Sequence, residues 1–141
     1  MSSDHSPAPP SMKQLESGDF LAAWGGVSGL QYLLPAAWTA LQPSGVGLPG
    51  LARLLSAEPA RLAGVGHRKG QVTAGYDADL VVWEPEKAAN TTAAGCLHRH
   101  KVSPYIGSAL NGRVVATVVA GHISSLYGVM SKQACGLVIR D

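Results

Sequence analysis

Four places in the 141-residue chain hold residues whose types and spacing could do chemistry. Asp4-His5 sets a carboxylate next to an imidazole in the sequence. His98-x-His100 has the alternate spacing of two metal ligands on a strand. Asp77 and Asp79 flank Ala78 like a carboxylate pair. Gly25-Gly26 would let backbone approach a ligand closely. Taken alone, each has a plainer reading. Asp4 is a solvated or capping carboxylate, and Gly25-Gly26 is a turn. His98 and His100 are exposed in a polar loop. Asp77 and Asp79 stand at a strand start, where turn formation explains them.

Composition narrows the classes. Hydrophobic residues make up 46% and charged residues 14%, against a usual charged share of about 25%. Such a chain exposes apolar surface unless it packs against something. The net charge of +2 and the lack of a Lys/Arg stripe argue against nucleic acid. The one basic cluster, His98-Arg99-His100-Lys101, reads as a solvated loop. Cys96 and Cys135 are too few for a disulfide framework and fit reduced thiols inside a cell. No apolar run is long enough for a membrane span, and Met1–Pro7 lacks the regions of a signal peptide. A soluble intracellular protein is expected. One small domain fits the length, whereas a complete (β/α)₈ barrel needs about 250 residues.

The elements that must position these residues come in two blocks. Pro7, Pro9 and Pro10 favour an extended start. Asp19 suits the cap of a turn or short helical piece at Phe20–Trp24. Leu30, Leu33, Leu34, Ala37, Trp38 and Leu41 share one helical face behind Ser28, a candidate cap, and Pro35 predicts a kink or break. Gln31 reads as a helix-start residue. A second helix spans Leu48–Leu55 and stops at Ser56–Pro59; a short one follows at Ala60–Ala63, closed by Gly64. After Arg68 the period changes to two. Strands are expected at 71–73, 80–83, 112–120 and 122–126, the first two joined by a tight turn with Gly70 and Gly75 at the bends. Lys87–Pro104 is a polar loop. Trp24, Trp38 and Trp83 read as core aromatics.

The wording of several stretches goes further than their periodicity. Lys69-Gly70-Gln71-Val72-Thr73-Ala74-Gly75-Tyr76-Asp77-Ala78-Asp79-Leu80-Val81 resembles a segment shared by cyclic-amide hydrolases of the amidohydrolase superfamily. Asp4-His5-Ser6-Pro7, then Lys13, then Gly18-Asp19-Phe20-Leu21-Ala22-Ala23-Trp24-Gly25-Gly26-Val27 is similar to allantoinases in particular. Leu51–Gly64 and His100-Lys101-Val102-Ser103-Pro104-Tyr105 continue the likeness, collinear from Ser3 to about Ile123. The chain departs from the family at Ala8, where a Cys is usual, and at Pro9-Pro10-Ser11.

The resemblance implies an α/β fold: the end of a (β/α)₈ barrel over residues 1–66, strands of a small β-sandwich over 67–126, and a tail at 127–141. It implies hydrolysis of the cyclic amide of allantoin to allantoate in purine catabolism, at a centre with two zinc ions. Asp4 matches the family's aspartate that binds metal and shuttles the proton. His5 is similar to a loop residue facing the substrate, and a carbonyl near Gly25 to one that accepts a ring N–H. The other metal ligands would precede Met1, so the resemblance points to a fragment, inactive alone, of an enzyme that is homo-oligomeric. The alternatives are a fragment of a dihydropyrimidinase or hydantoinase, and a non-catalytic module that interacts with the full-length enzyme.

Overall fold

The computed structural model describes residues 1–139. A coil and turn region leads from Met1 to Gly29, with one 3₁₀ turn at Pro10–Lys13. A 3₁₀ turn at Leu30–Tyr32 then runs into helix α1, Leu33–Leu41. The kink expected of Pro35 is absent inside α1. Pro35 occupies the first turn, where backbone N–H groups have no helical partner to lose. The irregularity falls earlier, where the narrow turn widens into α-helix.

The second helical stretch corrects the sequence reading. Helix α2, Leu48–Ala52, continues through a π turn, Arg53–Ala57, into α3, Glu58–Leu62. Ser56–Pro59 therefore does not stop it. Pro59 lacks an N–H and would crowd the carbonyl four residues earlier; a wider turn before it relieves both problems. The end is as expected. Gly64 has φ +74, its N–H bonds Arg61 O at 3.1 Å, and Val65 N bonds Ala60 O at 2.9 Å. This pair of bonds is a Schellman closure.

The sheet is antiparallel, in the order β1-β2-β3-β4: β1 Leu80–Ala88, β2 Asn111–Val119, β3 His122–Leu126 and β4 Val129–Met130. Pro85 is tolerated because β1 is an edge strand and its register breaks between Glu84 and Ala88. Gly121 makes the β2–β3 turn, as expected from the sequence. The expected strand at 71–73 does not form. Val72 is 87% exposed, and no described strand lies alongside to accept its backbone. The turn at Gly75 does form, closed by Tyr76 N to Thr73 O at 3.2 Å. β4 lies in the expected tail, where the sequence pattern predicts no strand; Arg140 and Asp141, the end of that tail, fall outside the described residues.

Helix and sheet meet at a small core of Ala37, Trp38 and Leu51, with Leu34, Leu41, Leu55 and Trp83 packed against it. The Trp38 and Trp83 rings meet edge to face, centroids 5.6 Å apart, and Trp38 Nε1 donates to Pro85 O at 3.1 Å. Both tryptophans are core residues as expected. Trp24 is not: it is 48% exposed.

Candidate active site

The chain's first residues and its Gly-rich loop are laced together. His5 forms a parallel bridge with Val27, and Ser6 N donates to Val27 O at 2.9 Å. Gly26 packs so closely on this strand that a Cβ there would lie 2.3 Å from Ser6 O. No other residue type allows this approach. Gly25, one residue away, has nothing within 4 Å of where its Cβ would stand. The structure thus brings two of the sequence's candidate segments, Asp4–Ser6 and Gly25–Gly26, into one place.

Asp4 is exposed and holds φ +45, a left-handed conformation uncommon outside glycine, although Asp tolerates it better than most residues. Its carboxylate has no hydrogen bond or ion pair among the described residues. His5 is half-buried. Its Nδ1 accepts the Leu30 N–H at 3.2 Å, which fixes the ring and leaves Nε2 as its other nitrogen.

Behind His5 lies a residue that the sequence reading misplaced. His98 is not an exposed loop histidine. Its ring is 5.3 Å from that of His5 and meets Tyr32 edge-on at 5.8 Å. Its Nε2 is buried without a partner among the described residues. Burial holds its pKa below the usual histidine value, and the nearby His5 and Lys101 act the same way. Tyr32, 1% exposed, has its hydroxyl pKa pushed up to about 12, chiefly by burial. The adjacent Cys96 thiol adds to this without forming a well-made hydrogen bond. The loop that carries His98 is pinned from α1's side: Gln31 Nε2 donates to Gly95 O at 2.8 Å and Gln31 Oε1 accepts from Leu97 N at 2.7 Å. A histidine in a polar loop gives no periodic signal of such burial, so only the tertiary contacts reveal it.

Ser28 does not cap the helix. Its hydroxyl is buried and unpaired among the described residues, while its carbonyl accepts from Ser103 Oγ at 2.6 Å. Asp19 does cap, accepting from Leu21 N at 3.0 Å and Ala22 N at 3.1 Å. Asp77 and Asp79 are structural, as read, but with cationic partners. Arg68 and Lys69 pair with Asp77 at 3.0 and 2.9 Å, and Lys69 also pairs with Asp79. Asp79 Oδ1 further accepts the Ala120 N–H at 2.8 Å. Hydrogen bonds from Lys69 are the main cause holding both carboxyls below their usual range, and the two carboxylates raise Lys69 in turn.

A metal centre needs several converging donors. Among the described residues no three His, Cys, Asp or Glu side chains come together in that way. Asp4 alone does not fit two zinc ions.

A family model, the amidohydrolase family, matches residues 32–124. The chain belongs to the amidohydrolase family. That family is generally metal-dependent. Among curated proteins, this amidohydrolase chain is 42% identical to a probable allantoinase of Oryza sativa, over 99% of the chain and 28% of the relative. It is 44% identical to an allantoinase of Arabidopsis thaliana, over 96% of the chain and 27% of the relative. The chain therefore spans little more than a quarter of the length of these relatives. Among solved structures, an L-hydantoinase (dihydropyrimidinase) from Arthrobacter aurescens superposes with a TM-score of 0.82 at 29% identity, covering 91% of the chain and 29% of that protein. The fold is accordingly that of part of such a hydrolase, closing helices of the barrel followed by antiparallel strands. Among the described residues no helix is long and apolar enough to cross a membrane. Asp4, His5 and Gly25 lie before the matched family range.

Proposed function

We propose that this chain supplies one side of an allantoinase-type site, for hydrolysis of the cyclic amide of allantoin to allantoate in purine catabolism. Asp4 is its metal-binding and proton-shuttling carboxylate. Gly25 offers a backbone carbonyl to a ring N–H of the substrate, and His5 lines the same face. The observation that carries this reading is the junction of Asp4–Ser6 with Gly25–Val27. It places an unpaired carboxylate on a strained backbone beside an open, side-chain-free stretch of loop. Left-handed backbone at a non-glycine residue costs about 1 kcal/mol or more and gathers at functional sites. The higher identity to allantoinases than to hydantoinases favours allantoin over a dihydropyrimidine.

In this reading zinc is the metal, and the remaining ligands come from outside this sequence. The intact enzyme is a homo-oligomer within a reducing compartment, in keeping with two free cysteines. The domain division is 1–66 for the barrel end and 67–126 for the sandwich strands. The chain alone hydrolyses no allantoin. Purified chain with added Zn²⁺ or Mn²⁺ is expected to match a metal-only blank. Turnover that disappears in Asp4→Ala would overturn the dependence on outside ligands.

A further inference from the structure

The loop that presents Gly25 is held by the side chain of Lys13. Lys13 ends the 3₁₀ turn Pro10–Lys13, whose start is fixed by Pro9 and Pro10. Its Nζ donates to Trp24 O at 2.9 Å and also to Gly26 O. The preceding residue makes a third tie, Met12 O accepting from Trp24 N at 2.7 Å. The carbonyls on either side of Gly25 are thus both taken by one ammonium. Among the described residues no donor reaches the carbonyl of Gly25 itself.

One observation and the chemistry of the ammonium support a dedicated arrangement. Lys13 has no carboxylate partner among the described residues, although Glu16 and Asp19 stand close by in sequence; Asp19 is occupied with Leu21 N and Ala22 N. The cation is committed to backbone oxygens instead. The chemistry also suits lysine. A tetrahedral ammonium has three rotatable donors and can serve two carbonyls a residue apart, whereas a planar guanidinium distributes its donors in a fixed fork. Gly26, seated on Ser6, fixes the far end of the loop, and Lys13 fixes the near end.

We infer that Lys13 is the positioning residue of this site: by binding the Trp24 and Gly26 carbonyls it turns the Gly25 carbonyl outward as the loop's unclaimed acceptor. This rests on the reading of Gly25 as the acceptor of a substrate N–H, and the two can fail separately. The ¹³C,¹⁵N-labelled 141-residue chain, Lys13→Met and Lys13→Arg are compared by NMR, with and without allantoin. In Lys13→Met the Trp24 and Gly26 carbonyl signals move while those of β2 and β3 stay, and Lys13→Arg restores them in part. Allantoin shifts the Gly25 carbonyl signal in the wild type, with affinity falling about tenfold in Lys13→Met, as for loss of one neutral hydrogen bond between the displaced Gly25 carbonyl and the ring N–H. Unmoved Trp24 and Gly26 carbonyls in a folded Lys13→Met chain overturn the inference. If that variant unfolds, the wild type decides: a slowly exchanging Lys13 ammonium coupled to both carbonyls upholds the clamp, and a freely exchanging one removes it. A clamp that holds in a wild type whose Gly25 carbonyl ignores allantoin upholds Lys13's hold on the loop and defeats the reading of Gly25 as an acceptor that this chain presents by itself.

Discussion

Gly25 and Gly26 are neighbours with opposite demands, and substitution separates them. Gly26→Ala pushes a methyl into Ser6 backbone, where nothing flexible can yield. The expected cost is about 2 kcal/mol, an overpacking penalty, read as a lower urea midpoint. Gly25→Ala meets open space and leaves stability within about 0.5 kcal/mol. Equal effects at the two positions would contradict the close seating on Ser6. The sequence shows the glycine pair but not which of the two is indispensable, because the contact partner stands twenty residues away. His98 makes a second residue-scale prediction. Its folded pKa lies below its unfolded one, so the unfolded chain binds the extra proton more readily. Stability is full above the unfolded pKa and falls as pH drops from about 6.5. Melts at pH 7.5 and 5.5 should differ more for the wild type than for His98→Gln.

At the scale of elements, the ionic knot of Arg68, Lys69, Asp77 and Asp79 ties the loop before β1 to the β2–β3 turn. Asp79 accepts from Ala120 N, and Gly121 N donates to Ala78 O at 3.0 Å. Asp79→Ala is expected to destabilise by about 1 kcal/mol, mostly through the lost backbone bond, since exposed ion pairs contribute little. Hydrogen exchange at Ala120 should quicken first. Both aspartates have lowered pKa values, so their contribution holds above about pH 4 and is lost as pH falls through the folded values; Lys69, raised, keeps its share until pH climbs past its own. How legible such elements are in sequence varies for physical reasons. The apolar faces of α1 and α2 and the β-branched run of β2 are local patterns, visible in the sequence itself. The π turn before Pro59 and the missing strand at 71–73 depend on what a proline displaces and on which strand lies alongside, and no window of sequence contains either.

The whole molecule is open for its mass. Its accessible surface is 9598 Å², whereas a compact monomer of 14.5 kDa exposes about 6,900 Å² by the usual scaling. Phe20 and Leu21 are 92% and 101% exposed, and Leu62 is 86% exposed. The low charged fraction thus foretold exposed apolar surface, while its location needed the fold. The isolated chain is expected to bind a hydrophobic dye and to sediment faster as its concentration rises; dye-free, concentration-independent behaviour would show the surface to be better covered. Trp38→Ala should cost about 3 kcal/mol, most of what so small a core supplies, and so abolish cooperative melting. One further consequence belongs to the His5–Val27 bridge. The stretch between its two ends leaves and returns at a single point, so it forms a closed ring of backbone. Rings of this kind tolerate changes of length at little entropic cost, which makes the stretch an exchangeable cassette. Its contents can lengthen or shorten while the two ends, at His5 and Val27, stay fastened.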